Sequence, residues 1–363
     1  MCSNVRVRWE RQSLLGEDPS ALPGLGRLGG LVRSVRTPEF AGVTFHEVVA
    51  RSVLNRIRGP MPFSWTVNPY RGCTHACVYC FARNTHTYLE FDAGHDFDTE
   101  IVVKTNIAQV LGKQLAAPSW RREQVAMGTN TDPYQRAEGR YALMPGIIET
   151  LVAHRTPFSI LTKGTVLSRD LPLLAEAATR VPVGIGVSLA LVDKELQQLL
   201  EPGTPSPTAR LQLVRRITDA GLPCGVLVAP LLPYLTDSEQ QITEVMADLK
   251  EAGATGVTGF ALHLRPGARE WFLRWLAEQH PELVPAYEGL YRRGANADAG
   301  YRAELAERVR RARRRVGITR SGDDALRGVP GAEGESFPEG AMPGTTPSGS
   351  PDHRAPAEQQ ALF

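Results

Sequence analysis

From about Phe63 the chain alternates between two patterns. Short apolar runs end in glycine or polar residues, and stretches with apolar positions three and four apart follow them. The first pattern predicts strands at Ser64–Val67, Val125–Gly128, Phe158–Leu161, Val183–Leu189, Cys224–Ala229 and Gly256–Leu262. The second predicts helices over Asn106–Leu115, Pro145–His154, Leu171–Thr179, Pro207–Ala220 and Asp237–Ala252. Strands alternating with helices predict a parallel sheet wrapped by helices, and six of them fit an α/β fold of the partial (β/α)6 TIM-like barrel kind. In such barrels the active residues sit at the C-terminal ends of the strands.

The ends of the chain read differently. Residues 1–60 are rich in arginine and glycine and read as an N-terminal extension. Within it Val48, Val49, Val53, Leu54 and Ile57 have helical spacing, and Thr44 with Glu47 suits a capping box, so Thr44–Arg58 is predicted helical. Residues 61–275 then form the core barrel and 276–320 a C-terminal helical segment. There Leu305, Val309, Ala312 and Val316 make a narrow apolar stripe on a helix otherwise dense in arginine from Arg308 onward. Arginine suits phosphate, so this helix is a candidate nucleic-acid contact, and equally a solvated surface helix. Residues 321–363 are poor in apolar side chains and are predicted to be a disordered tail. The tail ends Gln359-Gln360-Ala361-Leu362-Phe363, a sequence similar to the Q-x-x-L-F peptides that bind the bacterial sliding clamp.

Composition narrows the class only slightly. With 363 residues, 42% of them apolar, the chain can bury a large core, and a net charge of +2 selects no partner. No apolar run is long enough to span a bilayer, which predicts no membrane partner. Five cysteines, an odd number, with nothing resembling a signal peptide, argue against a disulfide framework and for the reducing cytoplasm.

Three of those cysteines carry the chemistry. Asn68 to Arg83 reads N-P-Y-R-G-C-T-H-A-C-V-Y-C-F-A-R, which places Cys73, Cys77 and Cys80 in a C-x3-C-x2-C loop. A 4Fe-4S cluster normally takes four thiolates, so three leave one iron without a protein ligand. Cys2 lies near the terminus and Cys224 at the start of an apolar strand, so neither is an obvious fourth ligand. A zinc site completed by His75, His86 or His95 is the competing reading, and it would make the chain a non-catalytic nucleic-acid-binding protein. Zinc sites, however, favour paired C-x2-C arms across a longer loop.

The loop, with the aromatic Tyr79 before its last cysteine, resembles the radical S-adenosylmethionine (radical SAM) superfamily. The resemblance implies a 4Fe-4S cluster on Cys73, Cys77 and Cys80. It implies that S-adenosylmethionine chelates the open iron and is cleaved reductively to methionine and a 5′-deoxyadenosyl radical, with electrons from a donor such as flavodoxin or ferredoxin. The cofactors carry the difficult chemistry and the protein orients them. Tyr79 would then lie near the adenine.

The strand ends supply the remaining candidates. Thr129, Asn130 and Asp132 follow the second predicted strand, where the family carries its contact to the methionyl amine. Lys163 closes the third, and a lysine there needs an anion, for which the S-adenosylmethionine carboxylate is suited. Ser188, near the end of the fourth, is a candidate ribose or carboxylate contact. His263 and Arg265, after the sixth, are candidates to face the substrate.

Thr131-Asp132-Pro133-Tyr134-Gln135, Thr162-Lys163, Leu200-Glu201-Pro202 to Arg210-Leu211, and the run Ala229 to Asp237 are similar to the spore photoproduct lyase-related branch of that superfamily, and more closely resemble its actinobacterial members. This likeness covers roughly residues 40 to 295. Lys163 and Ser188 match the lyase's cofactor-contacting lysine and serine, and the likeness implies action on a nucleic-acid lesion. One departure is plain. The lyase returns a hydrogen atom from a cysteine after its second strand, and here Thr129 or Asn130 stands there, with no cysteine between Cys80 and Cys224.

Overall fold

The structure is a computed structural model, and it describes residues 30–57 and 63–320. The tail, with Gln359, Leu362 and Phe363, lies outside the described residues, as does the glycine-rich stretch before Gly30.

All six strands predicted from the sequence form. They are β4 (Trp65–Val67), β7 (Val125–Met127), β8 (Phe158–Thr162), β9 (Val183–Ser188), β10 (Cys224–Leu231) and β11 (Gly256–Ala261). They pair in parallel in sequence order, and β3 (Leu54–Arg56) adds an antiparallel edge beside β4. The sheet runs from β3 to β11 without joining its two edges. It is therefore a partial barrel. The strands are buried on both faces, with Ile160, Ile185, Val187 and Val226 fully enclosed. The helices predicted between them form with boundary shifts of one or two residues, at Ile107–Leu115, Leu143–Ala153, Leu171–Ala178, Pro207–Asp219 and Glu239–Glu251.

The region before Phe63 departs from expectation. Instead of one helix over Thr44–Arg58, the chain forms β2 (Thr44–Val48) and β3. β2 sits inside a second sheet, ordered β1 (Leu31–Val35), β2, β6 (Glu100–Lys104), β5 (Tyr70–Arg71). All five β2 residues are buried, and their polar groups have cross-strand partners. His46 bonds Ser34 at 2.8 Å and Glu100 at 2.6 Å, and Glu47 accepts from Arg33 at 2.8 Å. Thr44 accepts from Arg36, so neither Thr44 nor Glu47 caps a helix. The β-branched residues that fitted a helical stripe suit a sheet better once β6, some fifty residues away, supplies the pairing. Residues 30–57 are thus built into both sheets and are not an outer appendage.

The C-terminal part is helical, as expected, though the helix Ala268–Gln279 runs across the predicted boundary at 275. The last helix, Ala299–Val316, lays Leu305, Val309 and Ala312 onto the main core. No helix among the described residues is long and apolar enough to cross a membrane.

Candidate active site

β4 and β5 deliver the chain to the cysteine loop at one mouth of the half-barrel. Gly72, at φ +81°, turns it there, and an added Cβ would meet the Glu100 carbonyl and the His86 ring at about 3 Å. The loop is held by backbone. Cys73 N donates to Phe97 O at 2.9 Å, and Ala76 N and Cys80 N donate back to Cys73 O and Cys77 O at 3.2 Å. Gln135 also braces it, accepting from Thr74 N at 2.9 Å and donating to Gly72 O at 3.0 Å. Arg83 is fully buried and donates to Cys77 O at 2.9 Å and to Asp98 at 2.9 Å.

Cys73, Cys77 and Cys80 line a single cavity together with the ends of β7 to β11. Tyr79, Asn130, Asp132, Lys163 and Ser188 line it too, as does His263. Thr129 does not line it, and Thr131 does. The chain turns at Gly128, at φ +86°, where a Cβ would lie 1.9 Å from Leu161 O. That turn sends Asn130 and Thr131 to the cavity in place of Thr129. Arg265 lies over the Phe81 ring, 5.5 Å from its centroid, and is not part of the lining.

Asp132 is a joint between elements. Its carboxylate accepts from Tyr134 N at 2.8 Å, Thr162 Oγ1 at 2.6 Å and Lys163 N at 2.6 Å, and His75 Nδ1 stands 3.3 Å away. Burial pushes this carboxyl up, but His75 and these donors outweigh it and hold it below the usual carboxylate range. Asp132 therefore ties the cysteine loop to the end of β8.

Lys163 answers its need for an anion within the protein. Its ammonium bonds Ser188 Oγ and lies 3.5 Å from Glu201 Oε1, 5.8 Å from the centre of the Tyr79 ring. Glu201, to which the sequence reading gave no role, is fully buried. It accepts from the Tyr79 hydroxyl on one oxygen, and its other oxygen lies 2.6 Å from Arg210 Nη2. Burial opposes its ionisation, but Arg210 and Lys163 prevail and hold its carboxyl at about 2. Two cations and one carboxylate leave this network one positive charge in excess. The one local trace of the pair is a carboxylate between Leu200 and Pro202, followed by Arg210 among the apolar positions of the next helix, and it does not by itself mark either residue as buried.

The donor set fits a cluster and not a closed ion site. Among the described residues no group of three or more His, Cys, Asp or Glu, the three cysteines included, is disposed to hold a single metal ion, and no fourth side chain joins Cys73, Cys77 and Cys80 as a closed zinc site needs. Of the histidines offered to zinc, His75 faces Asp132, His86 bonds Glu100 O at 2.9 Å, and His95 is exposed. Burial pushes the Cys80 thiol up to about 11 and the Cys77 thiol well above its ordinary value, so a bound metal is what would favour their thiolates. Cys224 is fully buried in the core at the start of β10, outside the cavity lining.

The arginines of the last helix are largely met by acids. Arg310 and Arg314 pair with Glu307, Arg311 and Arg315 with Glu239, and Arg308 with Asp237. The surface is less bare of negative charge than the sequence run suggests.

A half-barrel that gathers three cysteines and a polar strand-end wall into one cavity defines an enzyme whose cofactor is held at the mouth of the sheet. The chain belongs to the radical SAM superfamily, whose sequence model matches residues 67–246. Its cofactors are accordingly a 4Fe-4S cluster and S-adenosylmethionine, with electrons from an external donor. An uncharacterised protein of Mycobacterium tuberculosis is 60% identical over 309 residues, which cover 84% of this chain and 91% of that one. A second, from Methanocaldococcus jannaschii, is 24% identical over 180 residues, half of this chain and 65% of its own length. Among solved structures, a spore photoproduct lyase variant shares the fold at a TM-score of 0.58 and 18% identity, over 76% of this chain and 81% of that one. A form of that lyase with bound S-adenosylmethionine and a dinucleoside spore photoproduct matches at 0.57 and 17% identity, over 75% and 79%.

Proposed function

We propose that this enzyme abstracts a hydrogen atom from a base of damaged nucleic acid, with Cys73, Cys77 and Cys80 holding the cluster. With S-adenosylmethionine bound, the cluster supplies one-electron cleavage of a carbon–sulfur bond and so the capacity to abstract hydrogen. Asn130 and the Lys163–Ser188 pair would hold the amino-acid end of the cofactor, and the surplus positive charge of their network would offset its carboxylate. The Tyr79 ring would flank the adenine. The observation that carries the reading is the division of the cavity. Most polar groups lie on the cysteine loop and the ends of β7 to β9, while β10, β11 and the residue beyond contribute Leu227, Ala229, Phe260 and Leu262 to the lining. A planar base can be enclosed by such an apolar wall while its charged backbone stays outside. The shared fold with an enzyme solved with a dinucleoside photoproduct supports the choice of nucleic acid. Return of hydrogen would follow a different route from that lyase, because no cysteine lies between Cys80 and Cys224 and so none on the segment just after β7. The oxidation-sensitive cluster suits the cytoplasm, with a flavodoxin or ferredoxin as donor.

The test is anaerobic reconstitution and assay of 5′-deoxyadenosine with reductant and S-adenosylmethionine. Irradiated DNA, undamaged DNA and tRNA are added separately. Irradiated DNA alone should raise the rate about tenfold over the substrate-free background. Equal rates with all three, or stimulation by tRNA only, would sink the assignment to DNA lesions.

A further inference from the structure

The segment Leu200–Thr204 lies against the cysteine loop from outside the cavity, and it touches the loop at four points. Val78 N donates to Leu200 O at 2.9 Å, and Gly203 N donates to His75 O at 3.0 Å. The Tyr79 hydroxyl donates to Glu201. Gly203 comes so close that an added Cβ would lie 1.9 Å from Thr74 O and 3.0 Å from the His75 backbone. The segment is itself anchored. Glu201 meets Arg210 at 2.6 Å, Arg210 donates to Ser188 O at 3.1 Å, and Thr204 Oγ1 donates to Glu201 O at 2.9 Å. Glu201, Arg210 and Tyr79 are all buried.

We propose that Leu200–Thr204 is a strap that fixes the cysteine loop, and so the cluster, relative to the Lys163–Ser188 end of the cavity, with Glu201 as its positioning residue. The loop's own turn bonds set the spacing of the three sulfurs but not the placement of the loop against the strands. Asp132 and Gln135 hold it on the β7 side. The strap is the corresponding hold on the β9 side. Glu201 joins both functions because one of its oxygens serves Tyr79 of the loop and also stands beside Lys163 of the cofactor wall. The other oxygen is committed to Arg210. Displacing the strap would leave three competent cysteines in the wrong place. The inference rests on family membership and not on the choice of substrate, so it is tested without any substrate.

The full chain is reconstituted anaerobically as wild type, Tyr79→Phe, Gly203→Ala, Glu201→Gln and the Tyr79→Phe, Glu201→Gln double variant. Three readouts are taken well below the unfolding temperature: iron per chain, the rate of iron loss to a chelator, and the electron paramagnetic resonance spectrum of the reduced cluster with and without S-adenosylmethionine. Each single variant should take up iron, then lose it about tenfold faster than wild type, and give a broadened or split spectrum that no longer converts to one species with S-adenosylmethionine. The double variant should be no worse than the worse of its two singles, because Tyr79 and Glu201 act through one bond. Tyr79→Phe removes one oxygen and keeps the ring, so it decides the matter even where Gly203→Ala or Glu201→Gln fails to fold. Iron loss within about twofold of wild type and an unchanged spectrum in Tyr79→Phe overturn the strap, as does a double variant whose effects multiply.

Discussion

The two walls of the cavity are built on different principles. The wall from the cysteine loop and the ends of β7, β8 and β9 carries polar groups already bonded to one another. Asp132 joins the loop to β8, Lys163 reaches Ser188, and Glu201 and Arg210 stand behind them. The wall from β10 and β11 carries Leu227, Ala229 and Phe260, which pack among themselves with Leu161, and His263 beyond them. A bonded polar wall costs little reorganisation when a charged ligand arrives. An apolar wall fixes nothing by charge and excludes water instead. On the proposed reading the polar wall places the cofactor and the apolar wall the substrate, and each should then be open to disturbance without the other.

The strongest break falls on the cysteine loop. Serine in place of Cys73, Cys77 or Cys80 should reduce iron from about four per chain to a small fraction and abolish 5′-deoxyadenosine formation, read by iron assay and chromatography. The next falls on the polar wall. Lys163→Met removes a charge-assisted contact and should weaken S-adenosylmethionine binding by about 10- to 100-fold in equilibrium dialysis, with iron content unchanged. A smaller effect is expected on the apolar wall. Phe260→Leu should leave S-adenosylmethionine binding within about twofold while lowering substrate-dependent turnover several-fold, because it alters shape at roughly conserved polarity. If Phe260→Leu instead weakens the cofactor as much as Lys163→Met does, the walls do not divide the work.

Much of this arrangement was legible because its signals are local. Most strands of the half-barrel are apolar runs closed by glycine or a polar residue, and the helices between them repeat every three to four residues. Asn130, Asp132, Lys163 and Ser188, which line the cavity, were singled out by asking what stands at strand ends, a rule of the fold and not of any one residue. The failures were non-local. β2 satisfies His46 and Glu47 through partners on β1 and β6, and no window around Thr44 contains β6. Glu201 is buried by contacts that begin 122 residues earlier, at Tyr79. Its carboxylate sits in a sequence that reads equally well as a helix end before proline. The smaller difference is that Thr131, not Thr129, lines the cavity beside Asn130 and Asp132, after the positive-φ turn at Gly128.

The finest contrast between the walls is electrostatic, and His263 tests it. On the polar wall, partners favour charge at Asp132 and Glu201. On the apolar wall, burial disfavours it, and the nearby Arg265 charge adds to that, so the His263 pKa falls to about 4. An unfolded histidine titrates near 6.5. Between those two values the unfolded chain binds the proton and the folded chain does not. His263 therefore lowers stability as pH falls from about 6.5 to about 4, and has no such effect above that window. Carbon-13 NMR of labelled histidine should show the His263 ring neutral from pH 8 to pH 5, with its midpoint near 4. Arg265→Gln should move that midpoint upward by a fraction of a unit, since Arg265 is the second cause and burial the first. His263→Asn should flatten the fall in unfolding temperature between pH 6.5 and 4 and change nothing at pH 8. A His263 midpoint near 6.5 in the wild type would mean that the apolar wall is open to water, and the contrast with the polar wall would then be one of side-chain type alone.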